Sequence, residues 1–122
     1  MKKILIIILC IIFLFGCTSN KVVKKYKATY KVINLTETKK LLKKGNTVLI
    51  DVRSEDEYNK KHLSKAINIY YDDIDTIIDE ISKDSVVIIY AKTNKISKKT
   101  VNKVIDLGYS LVYDLGSYDD IK

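Results

Sequence analysis

Two short runs, Thr47-Val-Leu-Ile-Asp-Val52 and Ser85-Val-Val-Ile-Ile-Tyr90, place apolar side chains at successive positions with almost no polar alternation. Successive side chains of a strand point to opposite faces, so such runs suit a sheet covered on both sides, as parallel sheets flanked by helices are. The segments around them fit that requirement. Thr36–Lys44 reads as a helix with Thr36 as its N-cap and Gly45 just past its end. Glu55–Lys61 begins acidic and ends basic, which complements a helix dipole. Asp72–Ile81 spaces Ile74, Ile77, Ile78 and Ile81 along one helical face. Ser97–Leu107 turns Val101, Val104 and Ile105 inward and stops at Gly108, where a positive φ is favoured. With shorter strands at Tyr30–Ile33, Ala66–Ile69 and Leu111–Asp114, the alternation predicts a three-layer α/β domain. Its central sheet is expected to be mainly parallel, of about five strands, flanked by helices.

The N-terminus belongs to no such fold. Met1-Lys2-Lys3 supplies a positive end, and Ile4–Phe15 is an apolar run shorter than the roughly 20 residues a membrane-spanning helix needs. It reads as a secretory signal. Leu14-Phe15-Gly16-Cys17 resembles the bacterial lipobox, whose Cys sulfur takes a diacylglycerol. Residues 1–16 are therefore expected to be a lipoprotein signal peptide, residues 17–28 the lipidated Cys17 and a basic tether, and residues 29–122 the folded domain. That places the domain at the bacterial cell envelope, outside the cytoplasm, with membrane lipid as a partner through Cys17.

Cysteine usage excludes whole classes of chemistry. Cys10 lies inside the signal and lipidation would consume Cys17, so the mature chain would hold no free thiol, disulfide or thiolate metal site. His62 is the only histidine, which argues against an imidazole metal centre. Asp72, Asp73 and Asp75 lack the Gly and distal Glu of a calcium loop. No cofactor and no metal are implied. Without Lys2 and Lys3 the balance is 20 basic to 15 acidic residues, against a net +7 for the whole chain. Lys21, Lys24, Lys25, Lys27 and Lys31 cluster after Cys17, either as a solvated tether or in contact with anionic headgroups. No aromatic-basic stripe marks a nucleic-acid surface.

Ligands of a parallel sheet sit beyond the carboxyl ends of its strands. Here that corner is Ala91-Lys92-Thr93-Asn94-Lys95-Ile96-Ser97, a loop curling into a helix whose inward N–H groups would suit an anion. Lys92 and Lys95 either reinforce that site or face water.

The order of segments resembles a rhodanese (thiosulfate sulfurtransferase) domain. VLIDVRSEDEYNKKHLSKAINI is similar to its first half, through Asp51-Val52-Arg53, Glu57-Tyr58, His62-Leu63 and Ala66-Ile67-Asn68. SVVIIYAKTNKISKKTVNKVIDLGYSLVYDLGS is similar to its second half, through the loop, Leu107-Gly108-Tyr109 and Val112-Tyr113-Asp114-Leu115-Gly116. The resemblance implies that the central strand should deliver a Cys whose thiolate is cradled by backbone amides. Ala91 stands at that position. The family's loop Gly and Arg are matched by Asn94 and Ile96, and Ser97 keeps the family's Ser as a helix N-cap. The family's Gly-His-Ile-Pro-Gly-Ala has become Lys61-His62-Leu63-Ser64-Lys65-Ala66. The resemblance further implies structural roles for Asp51 and Arg53, which tie the strand end to neighbouring loops, and for His62 at its turn.

The expectation is thus a lipid-anchored, rhodanese-like domain without sulfurtransferase activity, with no catalytic residue. It would serve as a binding module whose degenerate loop meets an envelope protein or a small anion. The alternative is a residual sulfurtransferase or phosphatase-like enzyme with another nucleophile, Thr93 or Ser97, for which the sequence shows no adjacent general base. Tyr109, Tyr113 and Tyr118 either border the cleft or lie half-buried.

Overall fold

The computed structural model describes residues 28–121. The expected signal peptide, Cys10, Cys17 and the expected tether up to residue 27 lie outside the described residues. Within them, four strands form one wholly parallel sheet: β1 (Thr47–Asp51), β2 (Ala66–Asn68), β3 (Val86–Ala91) and β4 (Leu111–Ser117), in the order β2-β1-β3-β4.

The strand β3 shows why the apolar runs had to be central. Val87, Ile89 and Ala91 face one core with Ile74, Ile78, Val101, Val104 and Tyr109, whereas Ile88 and Tyr90 face the other with Leu49, Leu115 and Tyr118. Each added strand residue therefore serves the opposite layer from the one before it. Helices cover both faces: α1 (Leu35–Lys44) and α2 (Glu55–Lys60) precede β2, α3 (Ile74–Ile77) and α4 (Asn94–Asp106) follow, and a single turn, α5 (Tyr118–Ile121), ends the fold. Among the described residues both cores are drawn from 30–121, a span that holds the whole sheet and its covering helices.

Several boundaries differ from the sequence reading, each for a local reason. The fifth strand is absent from the sheet: Tyr30–Ile33 meets β4 through one parallel bridge, Val32 with Asp114. Asp114 N donates to the Lys31 carbonyl at 2.8 Å and Ile33 N to the Asp114 carbonyl at 3.0 Å. The chain then turns at once into α1, so pairing stops there. Asn34, and not Thr36, caps that helix. Its Oδ1 accepts from Glu37 N at 2.9 Å while Glu37 Oε2 accepts from Asn34 N at 3.1 Å, a reciprocal capping box.

The expected helix over 72–81 is broken into a 3₁₀ turn at Tyr71–Asp73, the short α3, and a second 3₁₀ turn at Ile78–Glu80. Ile74 and Ile78 are fully buried, yet Ile77 is 38% exposed and not part of the inward face. β-Branched residues are weak helix formers, and the Tyr109 hydroxyl donates to the Ile78 and Ile81 carbonyls where the segment tightens into its last 3₁₀ turn, closed by Ile81 N to the Ile78 carbonyl at 2.9 Å.

β4 continues three residues past Asp114 by means of a bulge. Its register steps from Ile89 opposite Asp114 to Tyr90 opposite Gly116, leaving Leu115 as the extra residue. Gly116 has φ +90, and a Cβ there would lie 2.8 Å from Asn94 Oδ1. Replacing Gly116 with Ala should therefore cost about 1–2 kcal/mol from the left-handed backbone alone, plus the displacement of Asn94. Urea unfolding of residues 28–122 should show a lower midpoint with an unchanged slope.

Candidate functional site

The carboxyl ends of β1 and β3 meet at a buried ion pair. Asp51 ends β1, and Arg53 folds back on it, with Nη2 to Oδ2 at 2.7 Å and Nε to Oδ1 at 3.0 Å. The Arg53 backbone N–H donates to the same carboxylate at 2.9 Å, and the Tyr90 hydroxyl, arriving from β3, donates to Oδ2 at 2.6 Å. Arg53 Nη2 also donates to the Lys61 carbonyl at 2.7 Å, and its guanidinium carbon lies 3.8 Å from the Tyr118 ring centroid. Burial opposes the Arg53 charge, but the hydrogen bond and charge of Asp51 outweigh it and raise the guanidinium pKa further. Burial and then the bond to Asp51 likewise keep the Tyr90 hydroxyl protonated far above the ordinary phenol range.

His62 stands outside this cluster. Its exposed ring stacks on Tyr58, centroids 3.8 Å apart, with Nδ1 2.9 Å from the Tyr58 carbonyl.

The loop after β3 is short and closed. Ala91 is fully buried in the core. Thr93 caps α4, its Oγ1 accepting from Ile96 N at 3.2 Å, so the helix begins three residues before the expected cap at Ser97. Ser97 lies one turn inside, with no exposed surface, and its hydroxyl donates to the Asp114 carboxylate. That carboxylate is the neighbouring base the sequence did not reveal; it also takes the Tyr30 hydroxyl and, at 2.8 Å, the Gly116 N–H. Asn94 Oδ1 accepts from Ser117 N at 2.7 Å, Asn94 Nδ2 donates to Asp120 at 3.2 Å, and Ser117 Oγ donates to the Lys92 carbonyl at 3.0 Å. Lys95 is exposed.

Beside the loop opens a cleft of about 470 Å³ that includes Arg53, Glu57, Tyr70, Tyr71, Lys92 and Ile96 in its wall. Lys92 Nζ reaches Glu57 Oε1 across it at 3.3 Å. Tyr70 and Tyr71, absent from the sequence reading, follow the carboxyl end of β2 and could have been found from that position alone. Of the three tyrosines proposed as a border, Tyr109 is core and Tyr113 is half-buried; Tyr118 lines a smaller neighbouring hollow of about 270 Å³ with Arg53 and Glu57.

This arrangement of strand, closed loop and helix has relatives. The sequence profile of the rhodanese-like domain matches residues 34–122. The chain belongs to the rhodanese-like domain family. It is 27% identical over 86 residues to the thiosulfate sulfurtransferase GlpE of Coxiella burnetii, covering 70% of this chain and 80% of that protein. Among solved structures, the protein SSP1007 of Staphylococcus saprophyticus superposes with a TM-score of 0.65 at 22% identity, covering 75% of this chain and 93% of that one. The human single-domain sulfurtransferase TSTD1 superposes at 0.62 with 19% identity, covering 73% and 92%. These structural likenesses establish the fold.

In this rhodanese-like domain the cleft's charges are matched internally. Burial alone would raise the Glu57 carboxyl, but hydrogen bonds from Ser54 Oγ and N and from Lys92 hold it below the ordinary carboxylate value. The stability it contributes is complete above its unfolded pKa and is lost as pH falls through the lower folded pKa. In Lys92→Ala, carbon-detected NMR titration should show the Glu57 pKa moved up toward the ordinary value; an unmoved pKa would mean the ion pair does not hold the carboxylate.

Proposed function

We propose that this chain is a membrane-anchored, rhodanese-like lipoprotein that performs no sulfur transfer and acts as a binding module at the bacterial cell envelope. The observation that carries the proposal is Ala91. It stands where the sequence resemblance expects the sulfur-carrying Cys, and a methyl group forms no persulfide. The surroundings support this reading. Ile96 occupies the position of the loop Arg, so the cleft has lost the fixed cation that would steer a sulfur oxyanion.

The hydroxyls at hand are poor substitutes. Thr93 is committed to capping α4, and Ser97 and its base Asp114 are buried out of reach of a substrate. A hydrogen bond with Tyr71, ahead of burial, pushes the Tyr70 hydroxyl up to about 12, away from the ionised form a nucleophile needs.

The remaining cleft favours a segment of a partner protein over a small free anion, because its lysine already faces Glu57 while its walls offer two tyrosines and an isoleucine. The lipid anchor at Cys17 and the signal at residues 1–16 belong to the same proposal, which rests on the lipobox-like sequence. Among the described residues no helix is long and apolar enough to cross a membrane.

The test is thiosulfate-to-cyanide sulfur transfer by residues 28–122, run beside Ala91→Cys. The natural domain should yield no thiocyanate above the uncatalysed background. The variant should also stay silent, since position 91 is fully buried and lies outside the cleft wall. Turnover by the natural domain would overturn the proposal. Turnover by Ala91→Cys alone would show that the amide cradle survives and that one side chain switched it off.

A further inference from the structure

On the face opposite α3 and α4, α1 and the turn before β2 enclose a groove of about 410 Å³. Leu35, Leu42 and Leu63 supply apolar wall, and Lys39, Lys43 and Lys65 stand at its rim, all three exposed. Its only hydroxyl partner from α1, Thr38, already donates to the Asn34 carbonyl at 2.9 Å. No acidic residue lines it, and the three ion pairs found among the described residues involve none of these lysines. The contrast with the cleft is direct: there Lys92 has Glu57, whereas here a cationic rim surrounds an apolar floor.

Two further features concentrate at the same place. Lys39 and Lys43 are four residues apart on one helix, as are Lys40 and Lys44, spacings at which like charges repel. Lys65 adopts φ +67, a left-handed conformation unfavourable for a residue with a Cβ. Such local costs persist where the surroundings or a ligand compensate them.

We propose that this groove docks the domain on an anionic phospholipid leaflet, with lipid phosphates at Lys39, Lys43 and Lys65 and the upper acyl region against the leucines. A basic amphipathic helix is a recurrent means of lying on a charged membrane surface. The site is separate from the cleft of the proposed binding module and does not depend on Cys17 being lipidated. A second copy of the chain is disfavoured as the occupant, because a two-fold contact would set lysines against lysines.

The test is flotation of residues 28–122 with vesicles of phosphatidylcholine alone and of phosphatidylcholine with phosphatidylglycerol. The fragment should float with the anionic vesicles only. Lys39→Gln with Lys43→Gln should weaken that binding about 25-fold, roughly fivefold for each lysine near the surface. Lys65→Gly should weaken it about fivefold while raising the melting temperature, a pairing that a merely structural lysine would not give. Lys98→Gln with Lys99→Gln, on α4, should leave it unchanged. Failure to float, equal binding to pure phosphatidylcholine, or equal loss in the α4 variant would overturn the proposal. So would self-association that depends on the rim lysines, or lysine-dependent binding of poly-glutamate without vesicle binding, which would assign the groove to an acidic peptide.

Discussion

Arg53 carries a guanidinium into a site only 7% exposed, against an Asp51 carboxylate with no exposure at all. Removing two charges from water costs several kcal/mol for each, which their attraction repays only when further hydrogen bonds complete the geometry. Here they do. Tyr90 brings β3 to the pair, the Lys61 carbonyl brings the end of α2, and the Tyr118 ring brings the start of α5. Asn68 completes the arrangement from β2, its amide donating to the Asp51 and Arg53 carbonyls at 2.9 and 3.0 Å. One buried pair thus fixes where the ends of three adjacent strands stand. Although Arg53 borders the cleft, its Nε and Nη2 are committed to Asp51 and the Lys61 carbonyl and its charge is matched by the Asp51 carboxylate.

A second buried carboxylate orders the other half of the corner. Asp114 on β4 gathers Ser97 from α4, Tyr30 from the entering chain and the Gly116 N–H beyond the bulge. Burial, followed by this bond, pushes the Tyr30 hydroxyl up to about 12, so it remains a donor. Asn94 then ties the loop to β4 and α5 from outside. The loop is consequently held by its side chains as a closed turn. That closure suits the proposed reading of the corner as a surface offered to a partner, with Ala91 and Ile96 in place of a nucleophile and a fixed cation.

How much of this was legible depended on whether the signal was local. The central strands could be read directly, because an unbroken apolar run has few other stable destinations, and Gly108 marked a helix end through its backbone freedom. Caps were harder. Thr36 and Asn34 both satisfy the residue preference, and only the reciprocal bond to Glu37 separates them; Ser97 matched a cap by family position while Thr93 made the bond. The break in the Ile74–Ile81 face was invisible because the hydroxyl that meets its carbonyls comes from Tyr109, about thirty positions along the chain. The partnership of Ser97 with Asp114 required the topology, since neither sequence spacing nor residue type places those groups together, whereas the Tyr70–Tyr71 wall was legible from its place just after β2.

The central claim is that no side chain of this domain accepts sulfane sulfur, and the most direct measurement is the intact mass of residues 28–122 after incubation with thiosulfate. The account predicts an unchanged mass, because the position it assigns to the family's nucleophile carries a buried methyl group and this stretch contains no thiol. A gain of one sulfur atom that cyanide then removes would contradict it.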